Sequence, residues 1–212
     1  LRVLCIGAHC DDIEIGCGGT LLALQEARVV DRIDWVVLSG AEARRSETEH
    51  AMRLLVGDEA RDQLAFGDFT DGSMPSEYKA IKAFFESLKE IPAPDLILTH
   101  HRDDRHQDHR IVNEMTWNTF RNHLILEYEV PKWDGELGQP NVYVPIEREL
   151  GERKISALLE AFASQGGRDW FTRDTFEAMF RLRGIECRAE SGWAEAFHAR
   201  KLRLSARLPT MS

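Results

Sequence analysis

The sequence predicts a doubly wound, mostly parallel α/β sheet with helices on both faces, folded as a single domain over residues 1–212. Three observations carry that prediction. Short apolar runs alternate with helical patterns in β-α-β-α order. The runs are apolar on both faces, as parallel strands covered by helices must be. A chain of 212 residues that is 43% hydrophobic and 30% charged is long enough for one sizeable core.

The first element, Arg2-Val3-Leu4-Cys5-Ile6-Gly7-Ala8, is an apolar run closed by glycine and reads as a buried strand. It starts almost at Leu1, so a few residues are expected to precede the chain. A helix over residues 20–27 follows Gly16, Gly18 and Gly19. Residues 33–39 form a second buried strand, and a helix covers roughly 47–55. The segment from Gly67 to Pro75 is turn-rich. Ile81, Phe84, Phe85 and Leu88 then share one face of an amphipathic helix, which Pro92 and Pro94 end. Residues 95–99 are the next inner strand. Runs at 126–130, 141–145 and 194–198 are expected as outer strands, interleaved with helices near 155–162 and 175–182. The whole is Rossmann-like, without repeat, low-complexity tract or linker. The polar segment 133–140 reads as a long loop, and it and segment 164–170 are where substrate specificity is expected.

A net charge of −9 and a pI near 5.4 argue against nucleic acid or an anionic membrane as partner, because such binding needs clustered Lys and Arg. No apolar run approaches the ~20 residues that span a bilayer. The first residues lack the apolar region and cleavage site of a signal peptide. A cytoplasmic protein acting on a small molecule, with no membrane insertion, is the expectation. Cys5, Cys10, Cys17 and Cys187 form no CxxC pair and no disulfide framework, which agrees with a reducing compartment.

Two segments carry chemistry. His9-Cys10-Asp11-Asp12-Ile13-Glu14 follows the first strand directly, and His100 through His109 follows the strand over 95–99. Both fall on the carboxyl edge of the sheet, where open α/β sheets bind ligands. If the two strands are neighbours across the switch point, both segments face one crevice. The residue types suit zinc, which takes imidazole and carboxylate ligands and keeps a position for water. Zinc lowers the pKa of that water from about 15.7 towards ~7. A carboxylate that is not a ligand then takes the proton, and adjacent Asp11 and Asp12 can divide the two tasks.

These segments resemble the motifs of the PIG-L/LmbE-like zinc-dependent N-acetylglucosaminyl de-N-acetylases. The family's Ala-His-Pro-Asp-Asp followed closely by Glu matches Ala8-His9-Cys10-Asp11-Asp12-Ile13-Glu14, and its His-Pro-Asp-His matches His106-Gln107-Asp108-His109. In both, the proline is replaced. The resemblance implies that His9, Asp12 and His109 bind Zn2+ and that Asp11 is the general base. It implies that His106 stabilises the oxyanion or protonates the leaving amine, and that Asp108 orients a histidine. Further echoes are Arg44-Arg45-Ser46-Glu47, Asp71-Gly72 and Ala194-Glu195-Ala196-Phe197. They make Arg44 and Asp71 candidate substrate contacts, with His198 beside them in the last strand. The implied reaction is attack of metal-bound water on the N-acyl, expected to be N-acetyl, group of an amino sugar or glycoconjugate. A homo-oligomer is compatible with the family.

Plainer roles stay open at several of these positions. Asp12 can cap the following helix, and His198 can be a buried structural histidine. His100 and His101 read as loop residues without a metal role, Cys10 as pointing into the core, and Asp103-Asp104 as a solvated turn. Gly16-Cys17-Gly18-Gly19 reads as close packing of helix on sheet; carboxylates stand where a pyrophosphate would approach. The rival functions are a metallophosphoesterase, whose two-metal site needs further bridging carboxylates, and a non-catalytic sugar- or nucleotide-binding module.

Overall fold

The computed structural model describes residues 1–57 and 64–203. In chain order, β1 (Arg2–Gly7), α1 (Asp12–Glu26), β2 (Arg32–Val37), α2 (Glu42–Val56) and β3 (Leu64–Phe66) come first. They are followed by α3 (Tyr78–Ser87), β4 (Leu96–His100), α4 (Gln107–Thr119) and β5 (Leu124–Tyr128). The last elements are β6 (Val142–Pro145), α5 (Arg148–Ala161), α6 (Arg173–Glu186) and β7 (Ala194–His198). One sheet holds all of these strands in the order β3-β2-β1-β4-β5-β7-β6. The pairs from β3 to β5 are parallel, whereas β7 runs antiparallel to both β5 and β6. The mostly parallel α/β fold expected from the sequence is therefore present.

Alternation along β1 explains why helices cover both faces. Val3 and Cys5 join a core with Ile13, Leu21, Met52, Leu55, Ile155 and Phe180 from α1, α2, α5 and α6. Leu4 and Ile6 point the other way, into a core with Ile81 and Phe85 of α3 and Ile111, Val112 and Met115 of α4. Each buried strand residue must find an apolar partner on its own side, so both faces need helices. Among the described residues no helix is long and apolar enough to cross a membrane.

The chain winds outward from β1 in one direction through β2 and β3 and in the other through β4 and β5. The register Val3↔Leu96 and Cys5↔Leu98 sets β1 against β4, so their carboxyl ends open side by side into the switch-point crevice.

Several elements differ from the sequence-based expectation. α1 starts at Asp12, not residue 20, and takes the glycines into the helix. Glycine costs about 1 kcal/mol there relative to alanine, but space demands it. A Cβ on Gly16 would lie 2.2 Å from the Tyr128 ring, and one on Gly19 would lie 2.9 Å from Glu195 Oε1. The Glu195 carboxylate accepts the Gly19 and Thr20 amides at 2.8 and 2.6 Å. Lys154 Nζ donates to the Ile15 carbonyl, which the Gly19 amide would use in an unbroken helix, and to Glu195, both at 2.6 Å. Close helix–sheet packing is thus the work of these glycines, and the late Ala-Glu-Ala-Phe strand clamps α1. Neither α4 nor the three-residue β3 was expected, and β5 and β7 are interior strands rather than outer ones.

Candidate active site

The turn after β1 is tight. Asp11 takes φ 109°, ψ −23°, in the left-handed region that non-glycine residues occupy at a cost. The His9 amide donates to Asp12 Oδ2 at 2.7 Å, and the Ala8 amide donates to His100 Nε2, at the end of β4, at 2.9 Å. After β4 a short loop leads to His106, the N-cap of α4, whose Nδ1 accepts the Asp108 amide at 3.2 Å. Asp108 and His109 are therefore on the first turn of a helix that starts at the crevice.

Three donors from these two loops meet. His9 Nδ1 lies 3.2 Å from His109 Nε2 and 3.4 Å from Asp12 Oδ2, and His109 Nε2 lies 3.4 Å from Asp12 Oδ1. Donors at tetrahedral angles and ~2.0–2.1 Å from a zinc ion are about 3.3 Å apart. Asp12 meets the two imidazoles through different oxygens, Oδ2 towards His9 and Oδ1 towards His109, and each of the three pairs is close to that spacing. His106 and His100 stand close enough to form other sets with these residues, but their acceptor nitrogens are already used by the Asp108 and Ala8 amides.

Each ligand-type histidine is backed by a carboxylate. Asp104 Oδ2 lies 2.8 Å from His109 Nδ1, so that nitrogen carries the proton and the Nε2 lone pair faces the triangle. Asp108 Oδ2 stands 3.1 Å from His9 Nε2 and also accepts the Gly72 amide, which ties the Asp71-Gly72 turn to α4. Asp104 corrects the expectation of a solvated turn. It is 3% exposed, whereas Asp103 remains exposed. Lys132 Nζ donates to both Asp104 oxygens at 3.0 and 3.1 Å, and Asp104 Oδ1 also accepts the His106 amide at 2.8 Å. Lys132 was also missed, since its partner is 28 residues away.

The two adjacent aspartates are driven apart. Burial, then the charge of Asp12, pushes the Asp11 carboxyl up to about 7 against the pull of Arg44 and His9. Burial would raise Asp12 as well, but the hydrogen bonds it accepts from the His9 side chain and amide help to hold it well below its ordinary value. Burial drives His109 down to about 3, so its ring is neutral. Burial and the neighbouring His9 lower His106; its neutral ring, with Nδ1 an acceptor, carries its proton on Nε2. Around His9, burial is outweighed by Asp108, Asp12 and Asp71, which raise it well above the usual histidine value. The carboxylates converge on a point that calls for positive charge.

Arg44 Nη2 donates to Asp11 Oδ2 at 3.0 Å and to the Cys10 carbonyl. Asp71 Oδ1 reaches His9 Nε2 at 3.1 Å, with most of its side chain exposed. Both line a cleft of about 650 Å3 together with His9, Asp11, Asp12, His106 and His109. His198 is not brought there. It stacks on His101 with ring centroids 3.7 Å apart and lines a separate groove with Gly138, because β7 lies beyond β5 in the sheet. Cys10 is buried in the core, as expected.

A switch-point cleft with converging imidazoles and carboxylates defines a candidate metal-dependent α/β enzyme. The chain belongs to the PIG-L family, whose model, described as GlcNAc-PI de-N-acetylase, matches residues 4–120. It is 32% identical over 167 residues to the uncharacterized deacetylase YaiS of Escherichia coli K12, covering 74% of this chain and 88% of that protein. Among solved structures it superposes on GalB, the 4-carboxy-2-hydroxymuconate hydratase of Pseudomonas putida KT2440, with a TM-score of 0.73 at 16% identity, covering 98% and 99% of the two chains. For the N,N'-diacetylchitobiose deacetylase of Pyrococcus horikoshii the TM-score is 0.64 at 21% identity, over 93% and 83%. The structural likenesses establish the fold; a hydratase and a deacetylase sharing it show that the fold alone does not choose the reaction.

Proposed function

We propose that this protein is a zinc-dependent N-deacetylase that hydrolyses the N-acetyl group of an amino sugar or its glycoconjugate. The observation that carries this reading is the donor triangle of His9, Asp12 and His109 beside a separate carboxylate, Asp11, poised near neutrality. Membership of the PIG-L family and the deacetylase relatives support it. His9, Asp12 and His109 would hold the ion. When bound, zinc supplies the Lewis acid that acidifies water and polarises the acyl oxygen.

The chain's own groups do the rest. Asp11 takes the proton of the attacking water as the new C–O bond forms, and Arg44 holds that carboxylate in place. The His106 Nε2–H donates to the developing oxyanion. Asp11 then returns its proton to the amine as the C–N bond breaks, leaving acetate and the free amino sugar. Asp104 and Asp108 keep the two imidazoles turned. A phosphoesterase of the two-metal type needs another bridging anion. The number of metal ions bound per chain separates that reading from the deacetylase one.

The test is acetate release by the zinc-loaded protein on a panel of N-acetylated amino sugars and glycosides, with zinc counted per chain. Turnover with about one zinc per chain is expected. Hydration of an unsaturated acid, or phosphate release from esters, without any deacetylation would replace the reading.

A further inference from the structure

The cleft wall beyond the catalytic groups is built differently from them. Trp133, on the loop after β5, is 63% exposed, although it is the largest side-chain type. Its ring is held edge-on by Trp170 at 5.9 Å; Trp170 in turn meets Phe171 at 5.6 Å and Phe171 meets Phe176 at 5.2 Å. This aromatic ladder runs from the core to the rim of the cleft, so the outermost indole is braced while its surface stays open. The buried Trp170 Nε1 has no hydrogen-bond partner among the described residues.

Charge points to the same place. Of the cations lining the cleft, Arg44 is paired with Asp11, Arg45 with Asp68 and Lys132 with Asp104. Arg168, also on the cleft wall, is exposed and has no carboxylate partner among the described residues; its guanidinium carbon sits 5.8 Å from the Trp133 ring. The adjacent Asp169 does not serve it, since that carboxylate accepts Trp133 Nε1–H at 2.8 Å. On a chain of net charge −9, an arginine that has no carboxylate partner among the described residues and lies over an exposed indole is a local exception that attracts anions.

The rim is also coupled to the chemistry. Gln165 bonds Ser164 Oγ, which accepts from Arg44, and Arg44 holds Asp11. The cleft volume of about 650 Å3 lies within the ~300–1,000 Å3 of sites that take drug-sized ligands. It has room for more than one acetylated sugar ring.

We propose that Trp133, Trp170 and Arg168 form a subsite for a second ring of the substrate, one that stacks on indole and carries an anionic substituent, carboxylate or phosphate. The proposal rests on the deacetylase reading for the first ring. Indole faces take up the apolar face of a ring, and the guanidinium fork matches either anion.

Four probes test it: N-acetylglucosamine and its phenyl, p-carboxyphenyl and p-phosphonooxyphenyl β-glycosides. Wild-type kcat/KM should rise about tenfold from sugar to phenyl glycoside through stacking, and about tenfold or more again with the anion. Trp133→Ala should erase the first gain and Arg168→Gln the second, both leaving turnover of N-acetylglucosamine unchanged. Whichever anionic probe gains more names the anion; a gain from neither, or equal losses on all four probes in both variants, overturns the proposal. Quenching of tryptophan fluorescence by the anionic probes supplies a readout that needs no turnover. If no probe is deacetylated yet quenching depends on Trp133 and Arg168, the subsite stands and the deacetylase reading falls. Deacetylation without such quenching has the opposite meaning.

Discussion

The two parts of the cleft wall obey different rules. On the inner part Asp11, Asp12, Asp104 and Asp108 are all buried, and each meets a named cation, imidazole or amide. On the rim an exposed tryptophan and an exposed arginine without a carboxylate partner among the described residues face solvent. Groups that must meet a transition state lose rate if they reorganise, so they are fixed in advance by the fold. Groups that select a substrate need only present a surface. On the proposed reading, chemistry lies in the network between β1 and β4 and selectivity in the two late loops.

The sharpest way to break this division is to change one atom on the inner wall. Asp11→Asn keeps shape and removes basicity, so zinc should stay while kcat falls by roughly 10²–10⁴. Asp12→Asn should lose zinc instead, because an amide is a poorer ligand than a carboxylate. Zinc content and kcat measured side by side decide it, and the assignment is falsified if Asp11→Asn is metal-free while Asp12→Asn keeps zinc and activity. His106→Ala should lower kcat by roughly 10²–10³ with zinc retained, the scale of one lost oxyanion donor. Loss of the metal in that variant would move His106 into the ligand set.

Smaller effects belong to groups that act through others. Asp104→Asn leaves His109 without its carboxylate, and a drop of roughly 10–100-fold in zinc affinity or activity should follow. An unchanged zinc Kd would make Asp104 merely structural. Zinc binding should also release protons. In the metal-free protein Asp108, Asp12 and Asp71 outweigh burial and raise His9 well above the usual histidine value, and burial raises Asp11 to about 7. Each proton that must leave weakens zinc binding by about tenfold per unit fall in pH. Calorimetry in buffers of different ionisation enthalpy reads the proton count directly; zero released protons would contradict the charge picture.

Much of the inner wall was legible in the sequence, because ligand residue types cluster directly behind two apolar strands. Asp104 was not, since local sequence cannot tell a solvated aspartate from one buried by Lys132 across the loop. α4 escaped because its buried positions include Asp108, Asn113, Thr116 and Thr119, which break the apolar stripe. The start of α1 was misplaced because three glycines argue against helix until the Tyr128 ring and Glu195 are known to need their space. His198 misled because adjacency in sequence to a site-like strand says nothing about sheet order, which sets β7 one strand beyond β5. For the rim, the sequence marked the loops but not which side chains they turn to the cleft.

The last prediction compares the smallest addition on the inner side with the largest removal at the rim. Gly16→Ala adds one carbon on α1, but that carbon would lie 2.2 Å from Tyr128 Cδ2, and the tyrosine is pinned by its hydroxyl on the Ile6 carbonyl at 2.8 Å. The ring cannot move without disturbing β1, so overpacking should cost about 1–3 kcal/mol even though alanine is the better helix former. Trp133→Ala removes a whole indole, yet that indole is 63% exposed and makes one hydrogen bond, to the exposed Asp169. Its loss should stay within about 0.5 kcal/mol, as for surface positions generally. In a domain of this size each kcal/mol moves Tm by about 2–4 °C, so Gly16→Ala should melt several degrees lower and Trp133→Ala within about 2 °C of the parent. If Trp133→Ala is the less stable of the two, the rim is part of the core, and the separation of chemistry from selectivity across this cleft does not hold.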